Sequence, residues 1–268
     1  MTVAALFSKR SRPKMYPELT GIRPVLFNIA GYGVSSYSFF VALGIVAAVI
    51  VFIKGSKNLG DSSNSVVIIA SALIGGALGA KLPIWILNYK AIIASFPDMG
   101  PVLSGRTIVG GLVGGALSVY FVKKKLDIKQ RRGNDFAPAI ALGIAVGRIG
   151  CFLKGCCYGI PTGLPLGVNF GDDVLRHPTQ LYESLFMFGV FIYLIIVKNR
   201  FLPGKLFSRF MILYFSFRFF EEFIRAGSKF YFGLTGYQFM AVLVVIFYIM
   251  KETIFNRQKE ADYGRTQI

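Results

Sequence analysis

The sequence predicts an all-α membrane protein of seven transmembrane helices with a small extracytoplasmic cap. Three observations carry that prediction. Apolar residues fill 54% of the 268 positions and charged residues only 16%, with a mean hydropathy of +0.58. A soluble domain carries about a quarter charged residues. The apolar residues gather into runs near the roughly 20-residue length that crosses a bilayer as a helix. The basic residues, which give a formal net charge of +17, stand mostly between those runs. There they set topology and meet anionic lipid instead of forming a nucleic-acid face, so no nucleic-acid partner is expected. The three cysteines all fall within Cys151–Cys157, which excludes a disulfide-built scaffold. The opening MTVAALFSKRSRPK has too short an apolar region for a secretory signal peptide.

The elements follow in order. Residues 1–36 form an N-terminal arm, basic and polar as far as Arg23. Pro24 to Ile53 holds no charge, and Phe39–Ile53 is nearly pure aliphatic, so the first span lies here behind a lead-in segment. Lys54–Ser65 is a polar loop, and Val66–Leu87 a second span interrupted near its end by Lys81 and Pro83. Asn88–Arg106 is a mixed loop. Thr107–Val122 is a short third span with Gly110/Gly114 and Gly111/Gly115 at small-xxx-small spacing. That spacing lets helices pack closely, and it also admits a lipid near backbone. After the basic loop Lys123–Asp135 comes the fourth span, Phe136–Leu153, with Arg148 inside it. Residues 154–178, rich in Gly and Pro, form the cap. Leu181–Val197, Leu206–Ile224 and Phe230–Met250 are spans five to seven. The membrane domain thus covers 37–250, and 251–268 is a tail.

Seven spans put the termini on opposite sides. Sixteen Lys and Arg fall in Lys54–Ser65, Lys123–Asp135, Lys198–Arg209 and the tail after Met250, far more than in the loops opposite. The positive-inside rule therefore places the C-terminus in the cytoplasm and the cap outside.

Two stretches carry charge where charge is expensive. One is VGRIGCFLKGCCYGIPT at Val146–Thr162, the other YFSFRFFEEFIR at Tyr214–Arg225. Tyr214, Arg218 and Glu222 recur at i, i+4 and i+8 along one face of a helix, and Arg225 continues the row. Arg218 and Glu222 could be a structural pair. Arg148, Arg218 and Arg225 nevertheless outnumber Glu221 and Glu222, so an anion is wanted, and arginine's fork matches a phospholipid phosphate. His177, the only histidine, either positions the helix opening at Pro178 or moves protons. Cys151, Cys156 and Cys157 are small packing groups, a disulfide pair or a nucleophile. With His177 they have the ligand number of a zinc site, but adjacent cysteines are poor geometry for one, so no metal and no cofactor are expected.

These residues carry a resemblance. Gly147-Arg148-Ile149-Gly150, Phe152, Gly155, Tyr158-Gly159 and Pro161-Thr162 look like the signature of the prolipoprotein diacylglyceryl transferase family. His177-Pro178-Thr179-Gln180-Leu181-Tyr182-Glu183 is similar to the family segment opening the next span. Tyr214, Arg218 and Glu222 match its tyrosine, arginine and glutamate, Tyr37 its first-span tyrosine, and Ile108–Gly114 its glycine-rich segment. The chain departs where Val109, Cys151 and Cys156 replace a family histidine, asparagine and glutamate. The resemblance implies transfer of diacylglyceryl from phosphatidylglycerol to the lipobox cysteine of a prolipoprotein, in a bacterial inner membrane. It implies that Arg148 and Arg218 hold the phosphate, that Glu222 orients Arg218, and that Tyr37 and Tyr214 bond the headgroup. Arg225, Gly110, Gly111 and Gly114 would line the lipid, and His177 or a cysteine could act as base. Two other readings use the same residues. One is a paralogue with another acceptor, in which Cys156 or Cys157 forms a covalent intermediate. The other is a non-catalytic lipid-binding protein.

Overall fold

The structure, a computed structural model, describes residues 22–29, 31–55, 62–95, 102, 105–129, 132–226 and 231–265. The expected arm up to residue 21 lies outside the described residues. The chain divides into two compact units, Ser56–Arg131 and the rest, Met1–Gly55 with Arg132–Ile268. By length and composition, five described helices can cross a membrane: Ser36–Gly55, Asn64–Ile86, Gly133–Lys154, Thr179–Arg200 and Gly236–Ile254.

In the larger unit, Val25–Ile29 (β1) and Tyr32–Ser35 (β2) pair antiparallel, with Gly31 at φ 84° in the turn. The uncharged lead-in is thus a hairpin, not an extension of the first helix. The Arg23 amide donates to the Leu153 carbonyl at 2.8 Å, and the Ser36 hydroxyl caps back onto the Arg23 carbonyl. Helix α1 then runs Ser36–Gly55. It lies against Gly133–Lys154, meeting it at Phe136, whose ring is 4.5 Å from that of Phe52, and at Gly143 and Gly150. A Cβ on Gly44 of α1 would come within 2.7 Å of the Gly143 carbonyl, so the two backbones nearly touch.

Three further helices complete this unit: Thr179–Val197, Lys205–Glu221 and Gly236–Arg265. The last starts later than the apolar run predicts, because Thr235 and Gln238 form a capping box. The Thr235 amide donates to Gln238 Oε1 at 2.8 Å, and the Gln238 amide donates to Thr235 Oγ1 at 3.3 Å. Lys205–Glu221 ends before Ile224, whose carbonyl accepts a bond from the Ile160 amide at 2.9 Å.

Helix Lys205–Glu221 borrows its N-terminal cap from elsewhere in the chain. Asn134 Oδ1 accepts from the amides of Gly204 (2.9 Å) and Leu206 (3.1 Å). Its Nδ2 donates to the carbonyls of Phe201 and Leu202. Beside it, Lys198 Nζ reaches Asp135 Oδ1 at 2.6 Å and the Gly55 carbonyl at 2.8 Å, lacing three helix ends together. Asn134→Ala should lower stability by about 1–2 kcal/mol, the size of a lost cap. Asn134→Asp keeps the acceptor and should lose less, as read by thermal unfolding in detergent.

The smaller unit contains Ser62–Leu87, the short helix Tyr89–Ser95 and Ile108–Lys125. The first of these runs through Lys81 and Pro83 without the expected interruption. Pro83 cannot bond the Gly79 carbonyl, and that carbonyl packs against Gly110 of the neighbouring helix. Thr107 caps Ile108–Lys125 by accepting from the Gly110 amide at 3.2 Å. Gly110 and Gly114 face the backbone of Ser62–Leu87: a Cβ on Gly114 would lie 2.6 Å from the Gly75 carbonyl and 2.7 Å from Gly79 Cα. A Cβ on Gly111 would find ordinary contacts at 3.4 and 3.6 Å. Gly114→Ala should therefore destabilise by about 1–3 kcal/mol through overpacking, with Gly111→Ala near neutral in the same unfolding assay.

The helices at Ile108–Lys125 and Lys205–Glu221 stand where the third and sixth spans are expected. At 18 and 17 residues they are short, the first ending in Lys123, Lys124 and Lys125, the second holding Lys205, Arg209, Arg218 and Glu221. They fall outside the five helices above.

Candidate active site

In order along the chain, the helices after α1 are α2 (Ser62–Leu87), α3 (Tyr89–Ser95), α4 (Ile108–Lys125) and α5 (Gly133–Lys154). Next come α6 (Thr179–Val197), α7 (Lys205–Glu221) and α8 (Gly236–Arg265). The site is built where α5, α6 and α7 meet. Ser184 on α6 donates to the Ala145 carbonyl of α5 at 2.7 Å, and Phe186 on α6 stacks on Phe217 of α7 with centroids 4.1 Å apart. These contacts fix one turn of α6 against both neighbours and place Glu183 between them.

Glu183 is fully buried, and Arg148 and Arg218 are only 6% and 5% exposed. Arg148 Nη2 lies 2.5 Å from Glu183 Oε2, and Arg218 Nη1 lies 3.9 Å from the same oxygen. Tyr214 donates its hydroxyl to Glu183 Oε1 at 3.2 Å. Arg218 is also paired with Glu221, and its Nη2 lies 2.7 Å from Glu222 Oε2. Arg225 Nε stands 3.8 Å from that Glu222 oxygen. Charges this well buried persist only when paired and hydrogen-bonded, and the chain supplies the pairing itself.

The structure brings together Arg148, Tyr214, Arg218, Glu222 and Arg225, from two stretches some 70 residues apart in sequence. It also corrects the expected charge surplus. With Glu183 counted, three arginines meet three glutamates. Among the described residues, the cluster keeps buried atoms with no hydrogen-bond partner of both kinds: the donors Arg148 Nε and Arg225 Nη1, and carboxylate oxygens of Glu183, Glu221 and Glu222. Glu183 was the residue to find, since it is the only charge between Leu181 and Val197, and the rule that flags Arg148 flags it equally.

The remaining candidates surround this cluster in different ways. Tyr37 sits on α1, its ring 5.2 Å from Lys154 Nζ at the end of α5. His177 pairs by its backbone with residues 159–160: its carbonyl accepts from the Gly159 amide at 2.8 Å, and its amide donates to the Ile160 carbonyl. Its ring Nδ1 lies 3.3 Å from the Tyr182 hydroxyl. Gly159 bridges Arg225 and Pro161 bridges Arg176, so residues 159–161 run between the α7 exit and the α6 entry. Val168–Asn169 (β3) and Leu175–Arg176 (β4) form their own two-stranded antiparallel sheet. Asp172 stands 2.6 Å from Arg176, which holds its carboxyl below the usual range.

Gly155, at φ 70°, ends α5 and turns the chain back, its amide bonding the Cys151 and Phe152 carbonyls. Cys151 is buried, Cys156 half-buried and Cys157 exposed, all as free thiols. Thr179 Oγ1 donates to the Cys157 carbonyl at 2.8 Å and Gln180 Nε2 to the Cys156 carbonyl at 2.5 Å. Val109 is buried on α4, in the smaller unit.

Fold and site together define a class, a multi-pass membrane protein with a buried, charge-balanced arginine–glutamate centre. The chain belongs to the prolipoprotein diacylglyceryl transferase family, whose model matches residues 24–252. It is 38% identical over 217 residues to a phosphatidylglycerol–prolipoprotein diacylglyceryl transferase of Clostridium tetani, covering 78% of this chain and 87% of that one. A Clostridium perfringens relative, named transferase 2, is 32% identical over 84% of this chain and 92% of its own. One from Finegoldia magna is 33% identical, covering 87% and 96%.

Proposed function

We propose that the chain moves a diacylglyceryl group from phosphatidylglycerol to the thiol of a prolipoprotein lipobox cysteine. The acceptor sulfur attacks the glyceryl carbon, the carbon–oxygen bond to phosphate breaks, a thioether forms and glycerol phosphate leaves. The relatives' names supply the substrates. The observation that carries the reading to this chain is the buried cluster, with donors on Arg148 and Arg225 that have no hydrogen-bond partner among the described residues.

Negative charge grows on the departing phosphate in the transition state, and fixed donors in a dry site stabilise it there. Arg218, saturated by three carboxylates, acts as the anchor of the cluster. Arg148 and Arg225 then meet the phosphate directly, while Glu183 and Glu222 hold them in place. Tyr214 orients Glu183, and Tyr37 serves the headgroup from the α1 side. A free thiol has a pKa of about 8.5, so a few per cent of an acceptor cysteine is already thiolate at neutral pH. Reaction can proceed on that fraction with Val109 at the family histidine's position.

In this reading all seven spans cross a bacterial inner membrane, residues 154–178 form an outer cap and the C-terminus is cytoplasmic. The deciding experiment reconstitutes the chain with labelled phosphatidylglycerol and a lipobox peptide. Label on the peptide cysteine supports the proposal. Label on another acceptor favours a paralogous transferase, and lipid binding without transfer a non-catalytic protein.

A further inference from the structure

The loop that leaves α5 carries two successive backbone donors that no described residue uses. We infer that the amides of Cys157 and Tyr158 form a cradle for a phosphoryl anion beside the arginine–glutamate cluster. The cradle stands on backbone geometry, whereas its assignment to the headgroup of phosphatidylglycerol rests on the activity proposed above.

Two neighbouring side chains of α6 fix both peptide planes. Gln180 Nε2 donates to the Cys156 carbonyl at 2.5 Å, and Thr179 Oγ1 donates to the Cys157 carbonyl at 2.8 Å. Both side chains are fully buried. In a trans peptide the amide points opposite to the carbonyl. The Cys157 and Tyr158 amides therefore both face away from the start of α6. Cys157 is held at φ 67°, which a non-glycine residue adopts at a cost and only where its surroundings fix it. Such a left-handed residue after one of ordinary hand turns successive amides into an anion-binding concavity. The flanking amides are engaged: Gly155 bonds the Phe152 carbonyl, Cys156 the Cys151 carbonyl and Gly159 the His177 carbonyl. Those of Cys157 and Tyr158 have no hydrogen-bond partner among the described residues. Stacking of Tyr158 on Phe170, with centroids 4.8 Å apart, steadies the loop, and exposure of Cys157 leaves it open to a ligand.

The elements that enclose the loop also carry the cluster. The Cys151 carbonyl that holds Cys156 lies on α5 three residues past Arg148, and Gly159 pairs with Arg225 past the end of α7. Arg148 Nε and Arg225 Nη1 are buried with no hydrogen-bond partner among the described residues. Three glutamates offset the three arginines, so the side chains alone give a phosphate little net attraction. Backbone amides add donors that bring no opposing carboxylate, and fixed donors of this kind stabilise an oxyanion.

The test uses the full chain, isotope-labelled at the backbone nitrogen of cysteine alone, in a phosphate-free maltoside detergent. Three amide resonances result, from Cys151, Cys156 and Cys157, each assigned by its loss in the matching serine variant. Added phosphatidylglycerol should move the Cys157 signal and leave the other two in place. Glycerol phosphate and inorganic phosphate, added in separate titrations, distinguish the sources. A Cys157 shift with the soluble phosphates but not with the lipid keeps the cradle and overturns its assignment to the headgroup. Equal movement of all three signals, or a Cys157 signal that no anion moves, overturns the cradle. Thr179→Val removes the bond to the Cys157 carbonyl and should abolish the shift and slow transfer by about 10- to 100-fold. Thr179→Ser keeps the donor and should recover both. A Thr179→Val chain that shifts and transfers like the unaltered one overturns the positioning role of Thr179. If the unaltered chain transfers nothing, the proposed activity fails while the titration still decides the cradle.

Discussion

Glu183→Ala should lower the stability of the helix bundle by about 3–5 kcal/mol, the cost of breaking a buried ion pair from one side. The substitution leaves Arg148 without the carboxylate that now lies 2.5 Å away, and strips Tyr214 of its acceptor. Arg218 keeps Glu221 and Glu222, so the damage centres on Arg148. The double variant Arg148→Met/Glu183→Leu removes one charge of each sign and leaves two arginines facing two glutamates. Replacing a buried pair by apolar side chains of similar size is often neutral or stabilising. Thermal unfolding in detergent should therefore rank the double variant well above Glu183→Ala. A double variant as unstable as the single would show that Glu183 supports the fold by some route other than pairing Arg148.

Arg148→Ala and Arg225→Ala should each slow diacylglyceryl transfer by about 100- to 1000-fold, the effect of removing one donor to charge that develops in a transition state. The two should differ in stability. Arg148 is paired to a fully buried carboxylate, while Arg225 is more exposed and stands 3.8 Å from Glu222. Arg225→Ala thus separates chemistry from folding: a large fall in kcat with a nearly unchanged melt. Undiminished transfer in both variants would remove the phosphate clamp from the mechanism. The stabilised double variant gives a third arm, a folded protein with the same deficit as Arg148→Ala.

The sequence makes the arginines easy to see and their partners hard. Arg148 is one charge in an apolar run, and Tyr214, Arg218 and Glu222 recur at helical spacing, so convergence of the two stretches is legible in the sequence itself. Glu183 escaped because it sits inside a longer motif at a helix start, where a polar residue passes for an interfacial one. Counting charge by segment instead of by span then produced a surplus that the fold cancels. Boundaries were missed where tertiary contacts override hydropathy. The uncharged lead-in folds as the β1–β2 hairpin, the Thr235–Gln238 box delays α8, and Ile224 leaves α7 to pair with Ile160. Asn134, which caps a helix some 70 residues away, has no local signature at all.

The even balance of the cluster bears on how quickly a spent headgroup can leave. Because every arginine of the cluster already stands beside a glutamate, a phosphate meeting the free edges of Arg148 and Arg225 would do so with Glu183 and Glu222 still in place. Those carboxylates would offset part of the attraction and repel the extra negative charge that a departing glycerol phosphate carries. A site with bare cations would instead hold its dianionic product tightly and stall.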